Sequence, residues 1–172
     1  MNTTAFVGIS LDGFIARLDG SYDFLPADGG EPHGYEAFIA TVDAIVVGRN
    51  TYETVLGFPE WPYSKPLFVL STRPITPAPP LAKVEHLSGP PADIATGLAQ
   101  RGFGHVYVDG GITIQRFLAA GRLDRIVITR VPVLIGTGIP LFGVVPRDLR
   151  LRHVATRQYP SGLVQSKYRV SS

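Results

Sequence analysis

Three short clusters of glycine, hydroxyl and arginine residues each follow an apolar segment of this chain. They are Gly48-Arg49-Asn50-Thr51, Ser71-Thr72-Arg73 and Asp109-Gly110-Gly111-Ile112-Thr113. An arginine offers phosphate a permanently charged, forked donor, and the start of a helix offers it unpaired backbone N–H groups. Paired glycines let a ligand approach the main chain closely. Each cluster alone is also typical of an ordinary turn or strand-to-helix connection, but the three together indicate a nucleotide-binding site.

An alternation of strands and helices is predicted to position these clusters. Short apolar runs predict strands at 4–9, 44–47, 67–70, 83–87, 105–108 and 125–131. Helix signals fall at 35–42, 51–56, 92–101 and 110–120, and a final β-hairpin is expected from 151–159 and 163–170. The alternation favours one α/β domain over residues 1–172 with three layers: a mostly parallel central sheet, helices on both faces and a C-terminal antiparallel hairpin. Since the carboxyl ends of parallel strands share one edge, the three clusters should converge there.

Composition excludes several classes of function. The 172 residues carry a net charge of only +2 with scattered basic side chains, so a nucleic-acid partner is not expected. The chain has no cysteine, which excludes disulfides, thiolate metal sites and a cysteine nucleophile. Its four histidines lack metal-ligand spacing, so no metal is expected. No secretory signal or apolar run of about 20 residues is visible, so we expect a cytoplasmic protein without a membrane partner.

Five motifs, in order along nearly the whole chain, resemble a known family. They lie at 10–16, 47–53, 70–73, 109–111 and 135–142, and the last of them reads Ile-Gly-Thr-Gly-Ile-Pro-Leu-Phe. Together they are similar to the dihydrofolate reductase-like superfamily, in the branch of the C-terminal reductase domain of the riboflavin-biosynthesis deaminase-reductase. The Rossmann fingerprint and the P-loop are both absent from the sequence. The resemblance implies a single-domain, NADPH-dependent reductase.

The resemblance also implies where the cofactor binds. Arg49 and Thr51 would lie near its phosphates, Ser71-Thr72-Arg73 would hold the adenosine 2′-phosphate, and Gly110-Gly111, joined by a cis peptide, would lie against the pyrophosphate and nicotinamide. The loop at 11–30 would close over the nicotinamide. The full implied set of NADPH-binding residues is Gly8, Ile15, Ala16, Gly48, Arg49, Thr51, Ser71, Thr72, Arg73, Gly110, Gly111, Ile112 and Thr113.

The substrate side matches the family less well. The acidic residue of dihydrofolate reductases would fall near Pro32, with Glu31 beside it and Glu36 one turn further, and neither glutamate is a clean match. The catalytic residue is therefore unknown, and the implied substrate pocket is Ser10, Phe38 and Thr129. Thr129 could instead be a buried hydroxyl bonded to the backbone.

Other polar and aromatic residues have two readings. Asp12 and Asp109 are typical of a turn and a helix cap, respectively, although Asp12 could also act in catalysis. Phe58 and Trp61 could form a pocket rim or could simply be packed surface aromatics.

The predicted function is hydride transfer from NADPH to a small heterocyclic or ribityl-type substrate, similar to that of 5-amino-6-(5-phosphoribosylamino)uracil reductase. The alternatives are a dihydrofolate reductase-like activity or a non-catalytic, dimeric ligand-binding relative. The deaminase activity of the full riboflavin enzyme is excluded, because its zinc signature requires cysteine. A homodimer is expected, since relatives often dimerise and the hairpin together with residues 132–135 offers apolar surface.

Overall fold

The computed structural model describes residues 1–26 and 33–171, and this part of the chain contains ten strands and four helices. The strands are β1 (Asn2–Ser10), β2 (Phe14–Ala16), β3 (Ala44–Gly48), β4 (Leu67–Leu70), β5 (Val84–Leu87), β6 (His105–Asp109), β7 (Arg125–Val131), β8 (Ile139–Pro140), β9 (Leu151–Gln158) and β10 (Val164–Val170). The helices are α1 (Tyr35–Ala40), α2 (Arg49–Leu56), α3 (Pro91–Gln100) and α4 (Gly111–Ala119).

Eight of the strands form one central sheet, in the order β5-β4-β3-β6-β1-β7-β10-β9. Every neighbouring pair from β5 to β7 is parallel, whereas β10 runs antiparallel to both β7 and β9. The central strand β3 consists of apolar residues followed by glycine, and Ala44 to Val47 have no exposed surface. A strand without polar residues is stable only when both of its faces are covered, as in a parallel sheet. The predicted mostly parallel sheet with a C-terminal antiparallel hairpin is confirmed.

Helices cover both faces of this sheet, as predicted. Along β1, Ala5 and Val7 pack in one core cluster with residues of α3 and α4, whereas Phe6 packs in the other with residues of α1 and α2. The alternation follows from the two-residue period of a strand, which sends successive side chains to opposite faces. The molecule therefore has the three predicted layers.

A second, two-stranded sheet was not predicted. In it β2 pairs with β8 in antiparallel register, with Phe14 opposite Pro140 and Ala16 opposite Ile139. Each strand has only two or three residues, so neither carries the alternation that identifies a strand in sequence. This small sheet joins residues more than 120 positions apart and forms one wall of the site described below.

The edge of the central sheet is exposed. All eight residues of β9 are accessible to solvent. An open edge strand can pair with another chain. The homodimer therefore remains a prediction, and the exposed edge strand β9 offers a surface on which two copies would pair. None of the helices in the described part of the chain is long and apolar enough to cross a lipid bilayer.

Candidate functional site

A cavity of about 820 Å³ opens at the carboxyl ends of the parallel strands β3, β4 and β6. The three clusters that follow these strands meet in it, as the predicted topology requires. All thirteen residues implied by the resemblance for cofactor binding line this cavity: Gly8, Ile15, Ala16, Gly48, Arg49, Thr51, Ser71, Thr72, Arg73, Gly110, Gly111, Ile112 and Thr113.

Two helix N-termini meet in the cavity at a cradle formed by Gly48, Thr51, Gly110 and Thr113. A Cβ atom on Gly48 would lie 2.8 Å from Thr113 Oγ1, and one on Gly110 would lie 2.5 Å from Thr51 Oγ1. Because the two glycines have no side chain, the Thr113 and Thr51 hydroxyls can approach the main chain closely at the start of the two helices. Gly48 precedes α2 and Gly110 precedes α4, so unpaired N–H groups and the positive ends of two helix dipoles face the same space.

Gly110 turns the chain into α4 with a positive φ of 93°. The expected cis peptide between Gly110 and Gly111 is not found, because the described residues contain no cis peptide bond. The chain instead enters α4 through the positive φ of Gly110, which glycine adopts without a Cβ clash.

Three guanidinium groups line the cavity, those of Arg49, Arg73 and Arg116. Arg49 begins α2 and lies 3.5 Å from the carboxylate of Glu53, one helical turn further on. Arg116 was not predicted, although it follows Thr113 by three residues on α4 and so belongs to the same helix face. The three cations are suited to bind the several negative charges of a nucleotide.

The loop that carries Arg73 is held by hydrogen bonds. Ser71 Oγ donates to the Arg73 carbonyl at 2.7 Å and accepts from the Arg73 N–H at 3.0 Å. The His86 ring bonds the Ser71 carbonyl at 2.8 Å. The arginine therefore extends from an ordered turn at the end of β4.

The small β2–β8 sheet closes the cavity against the start of α4. A Cβ on Gly111 would lie 3.2 Å from Ile15 and 3.5 Å from Ile139, one residue from each strand. Gly8, on β1, lies under the side chain of Leu25, which is 2.9 Å from where a Cβ on Gly8 would be. Ile15 and Gly8 thus lie beside the cavity, as predicted, because side chains of the small sheet and of the loop at Leu25 approach glycine backbone closely.

Asp12 anchors the connection to β8. Its carboxylate accepts hydrogen bonds from the Gly136 N–H at 2.8 Å and the Ile135 N–H at 3.3 Å. A hydrogen bond with Ser10, together with these two, lowers the pKa of Asp12 despite an opposing desolvation effect. Asp12 is exposed and does not line the cavity, so the geometry favours the turn reading over the catalytic one.

Asp109, at the end of β6, is the only acidic residue that lines the cavity among the residues that the structure describes. Its Oδ1 accepts from the Gly110 N–H at 2.8 Å. The Gly110 N–H lies before the first residue of α4, and no side chain caps this helix. The predicted role of Asp109 as a helix cap is therefore not found. Burial raises the pKa of Asp109 above its ordinary value, while the bonds from Gly110 and Tyr107 oppose the rise.

The Tyr107 hydroxyl donates a hydrogen bond to the Phe6 carbonyl at 2.9 Å. A phenol has one proton to donate, so this bond fixes the direction of the Tyr107 hydroxyl. Burial favours the neutral form of Asp109, whereas hydrogen bonding from Gly110 favours the carboxylate, and burial has the larger effect on the pKa of Asp109.

Five aromatic residues also line the cavity, and we call this set the aromatic wall. It comprises Phe6, Tyr22, Phe58, Tyr63 and Tyr107. Burial, and then the nearby Asp109 charge, raise the pKa values of Tyr22, Tyr63 and Tyr107. The rim reading of Phe58 thus agrees with the structure, whereas Trp61 packs behind Tyr63 with its ring centroid 5.5 Å away.

The three residues predicted for the substrate pocket do not line the cavity. Ser10 is fully buried, and its Oγ accepts from the Phe14 N–H at 3.0 Å within a turn. Phe38 stacks behind Phe6 with ring centroids 4.9 Å apart. Thr129 is buried and accepts from Gln165 Nε2 at 3.0 Å, so its hydroxyl is satisfied by a side chain.

The structure places one of the two glutamates considered for the acidic residue of dihydrofolate reductases. Glu36 is exposed on α1 and does not line the cavity, and Glu31 and Pro32 lie outside the described residues. Within 1–26 and 33–171, no three His, Cys, Asp or Glu side chains are grouped as metal ligands would be.

The sequence is similar to a known protein family and to a bacterial protein. Residues 89–165 match the family described as the RibD C-terminal domain. The chain is 34% identical over 165 residues to the uncharacterised Bacillus subtilis protein YwjB, with 91% of each chain covered.

Solved structures of other proteins have a similar fold. A protein from Shewanella sp. PV-4, whose name assigns it provisionally to riboflavin biosynthesis, is 40% identical, with a TM-score of 0.92 and full coverage of both chains. Dihydrofolate reductase from Enterococcus faecalis, solved in complex with NADP(H), is 15% identical with a TM-score of 0.70, over 99% of this chain and 97% of that one. At that identity the likeness concerns the fold alone.

Proposed function

The chain belongs to the RibD C-terminal domain family, and from this premise we propose that it is a reductase that uses NADPH to reduce a small heterocyclic or ribityl-type acceptor. The observation that carries the proposal is the cradle, where a Cβ on Gly48 or Gly110 would lie within 2.8 Å of a threonine hydroxyl facing two helix N-termini. Hydroxyl groups beside two helix N-termini are suited to bind an anionic group.

The chain's residues fit the parts of NADPH. The cradle would hold the pyrophosphate, with Arg49 beside it. Ser71, Thr72 and Arg73 would bind the 2′-phosphate, because a guanidinium and two hydroxyls suit a phosphate monoester. Ile15 and Ala16 would pack on the nicotinamide. Their half-buried side chains in β2 offer an apolar wall from which water is displaced.

Reduction needs a proton as well as a hydride. NADPH bound in the cavity would supply a hydride, that is, one proton together with two electrons, to the acceptor carbon of a C=N or C=O bond. The atom left with the electron pair then takes one proton. Asp109 is placed to give it, since the carboxyl is at the cavity wall and its raised pKa keeps the proton to higher pH than usual.

The decisive experiment is a titration of the protein with NADPH, followed by nicotinamide fluorescence. We expect saturable binding in the micromolar range, as two helix N-termini and three arginines provide many charge-assisted hydrogen bonds. No binding at millimolar NADPH would contradict the reductase proposal and favour the alternative of a non-catalytic ligand-binding relative.

Replacing Arg73 by alanine should narrow the preference for NADPH over NADH. A hydrogen bond to a charged group contributes about 1.5–3 kcal/mol, so NADPH affinity should fall by about tenfold or more. NADH lacks the 2′-phosphate, and its affinity should change little. Both dissociation constants are measured by the same fluorescence titration.

The matched control is Arg152→Ala, which removes the same charge from the exposed strand β9, away from the cavity. It should leave both affinities unchanged. Equal affinities of the parent protein for NADPH and NADH would contradict the assignment of Arg73.

A further inference from the structure

The basic residues of this chain, although scattered in sequence, are concentrated in its C-terminal part. Residues 122–172 contain nine arginine or lysine residues and two aspartates, whereas residues 1–121 contain seven basic and twelve acidic residues. The small net charge of +2 is therefore the balance of two parts of opposite charge. The positive part includes β7, β10 and β9, the last three strands of the central sheet.

Three arginines, which we call the arginine triad, lie side by side on these strands. Arg169 of β10 is directly opposite Arg125 of β7 on one side and Arg152 of β9 on the other. Directly paired residues of neighbouring strands point to the same face of a sheet. Since neighbouring strands lie about 4.8 Å apart, the three side chains start within about 10 Å of each other. Lys167, two residues before Arg169, adds a fourth cation to this face.

No carboxylate of the described residues neutralises the triad. The three arginines and Lys167 are exposed, and within 1–26 and 33–171 none of the four forms an ion pair. Asp124, which precedes Arg125, instead accepts a hydrogen bond from the Thr3 N–H at 2.7 Å. Like charges directly opposite on neighbouring strands destabilise a sheet. The triad therefore lowers the stability of the folded protein as long as no anion is bound to it.

Protection of the open sheet edge explains only one of the three arginines. Charged side chains on an edge strand discourage pairing with other chains, and β9 is an edge strand, so Arg152 can serve in this way. Arg125 and Arg169 lie on β7 and β10, each of which is paired on both sides. Edge protection gives these two arginines no role, whereas binding of an anion accounts for all three.

The triad is suited to an anion with several linked phosphate groups. A guanidinium group binds phosphate oxygens through paired, charge-assisted hydrogen bonds. One guanidinium suffices for a single phosphate or carboxylate, whereas three in a row match a chain of phosphates. On the triad's face of β7, β9 and β10 there is no aromatic residue, so single-stranded nucleic acid would find no ring on which its bases could stack.

We propose that the arginine triad is a second binding site of this protein, and that its ligand is a small anion with several linked phosphate groups. The triad lies at the amino end of β7, and none of its residues lines the cavity at the carboxyl ends of the parallel strands. Binding at the triad is therefore independent of the proposed reductase function.

The test is a calorimetric titration with inorganic tripolyphosphate at low salt. We expect saturable binding below millimolar concentration. Arg169→Gln, which removes the central charge, should weaken this binding at least tenfold, since it removes hydrogen bonds between charged groups. The matched control is Arg147→Gln, which removes one charge from an exposed position before β9 and should bind like the parent. Equal losses in the two variants, or no binding to the parent at millimolar concentration, would overturn the inference.

Two further titrations identify the site and the ligand. The cavity also has arginines that can bind phosphate, so the measurement is repeated with saturating NADPH, and binding to the triad should persist. If NADPH abolishes it, tripolyphosphate occupies the cavity and the inference fails. If NADPH itself does not bind, only the proposed function is contradicted, because Arg169→Gln and Arg147→Gln still differ without it. A duplex DNA oligonucleotide that binds more tightly than tripolyphosphate would overturn the choice of a small ligand.

Stability gives a readout that a misfolded variant would not imitate. Because the triad's charges repel each other, Arg169→Gln should raise the Tm of the ligand-free protein by about 1–3 °C at low salt. The gain should disappear at about 1 M salt, where charges are screened within about 3 Å. Tripolyphosphate should raise the Tm of the parent more than that of the variant. An unchanged or lowered Tm of Arg169→Gln at low salt would contradict an unneutralised triad and overturn the inference.

Discussion

Gly110→Ala should weaken NADPH binding by about a hundredfold or more, which corresponds to about 2.7 kcal/mol. Its new Cβ would lie 2.5 Å from Thr51 Oγ1 and 3.8 Å from Thr113 Oγ1, within the cradle proposed to hold the pyrophosphate. The positive φ of 93° adds backbone strain, since glycine adopts such a conformation readily and residues with a Cβ do not. The measurement is the nicotinamide fluorescence titration, accompanied by thermal unfolding.

Gly121→Ala separates the two effects of this substitution. Gly121 also has a positive φ, 63°, but a Cβ there would meet no atom within 4 Å. The control should lose stability for the same backbone reason and retain the NADPH affinity of the parent. If both variants bind NADPH equally weakly, the loss of affinity comes from backbone strain and not from the new Cβ in the cradle. If Gly110→Ala binds like the parent, the cradle does not hold the pyrophosphate.

The parts of the site that could be predicted are those set by local sequence and parallel topology. The apolar run of β3 ends at Gly48 and α2 begins at once, so the position of Arg49 and Thr51 follows from a single strand-to-helix boundary. The same holds for the clusters after β4 and β6. Once the sheet is parallel, these ends must share an edge, and all thirteen predicted residues accordingly line one cavity.

Of the aromatic residues that line the cavity, Phe58 alone was offered by the sequence as a pocket rim, because the other four are brought together by packing. Phe6, Tyr22, Tyr63 and Tyr107 come from two strands and two loops, and none has a sequence neighbour that marks it as functional. Phe38 was assigned to the pocket from the family pattern, yet it supports Phe6 from behind, since a stack of two rings places only one of them at the surface.

The pairing of β2 with β8, which are far apart in sequence, was not predicted for a related reason. The β2–β8 sheet is held by a few backbone hydrogen bonds and by Asp12, whose carboxylate bonds the N–H groups of Ile135 and Gly136. The sequence showed an Asp-Gly turn but not its partner 124 residues away. Contacts of this kind depend on the completed fold.

Asp109 shows how a local signal can be misread. An aspartate before paired glycines at a helix start is typical of a cap, yet its oxygen bonds the Gly110 N–H, and its carboxyl lies in the cavity wall beside Tyr107. The signal that could have identified it is topological: Asp109 is an acidic residue at the carboxyl end of a buried parallel strand, next to the paired glycines that open α4.

Asp109→Asn should lower kcat by about a hundredfold or more, in the range typical for loss of general acid catalysis. The amide keeps an oxygen to accept from the Gly110 N–H but cannot give a proton, so NADPH affinity should stay within about threefold of the parent. In the parent, kcat/KM should fall as the pH rises through the raised pKa of Asp109, because the donor is then lost. That decline should be absent in the variant, and Asp93→Asn, on the exposed side of α3, should behave like the parent.

The same substitution should have a signed effect on stability. Burial raises the folded-state pKa of Asp109 above its ordinary value of 3.8, so the protonated carboxyl stabilises the fold at low pH. This contribution is complete below the unfolded-state pKa and is lost as the pH rises through the folded-state pKa. The amide does not ionise, so the free energy of unfolding of Asp109→Asn, relative to the parent, should increase between pH 4 and pH 7 in urea denaturation. A variant that turns over like the parent, or that becomes relatively less stable as pH rises, would contradict a buried proton donor at this position.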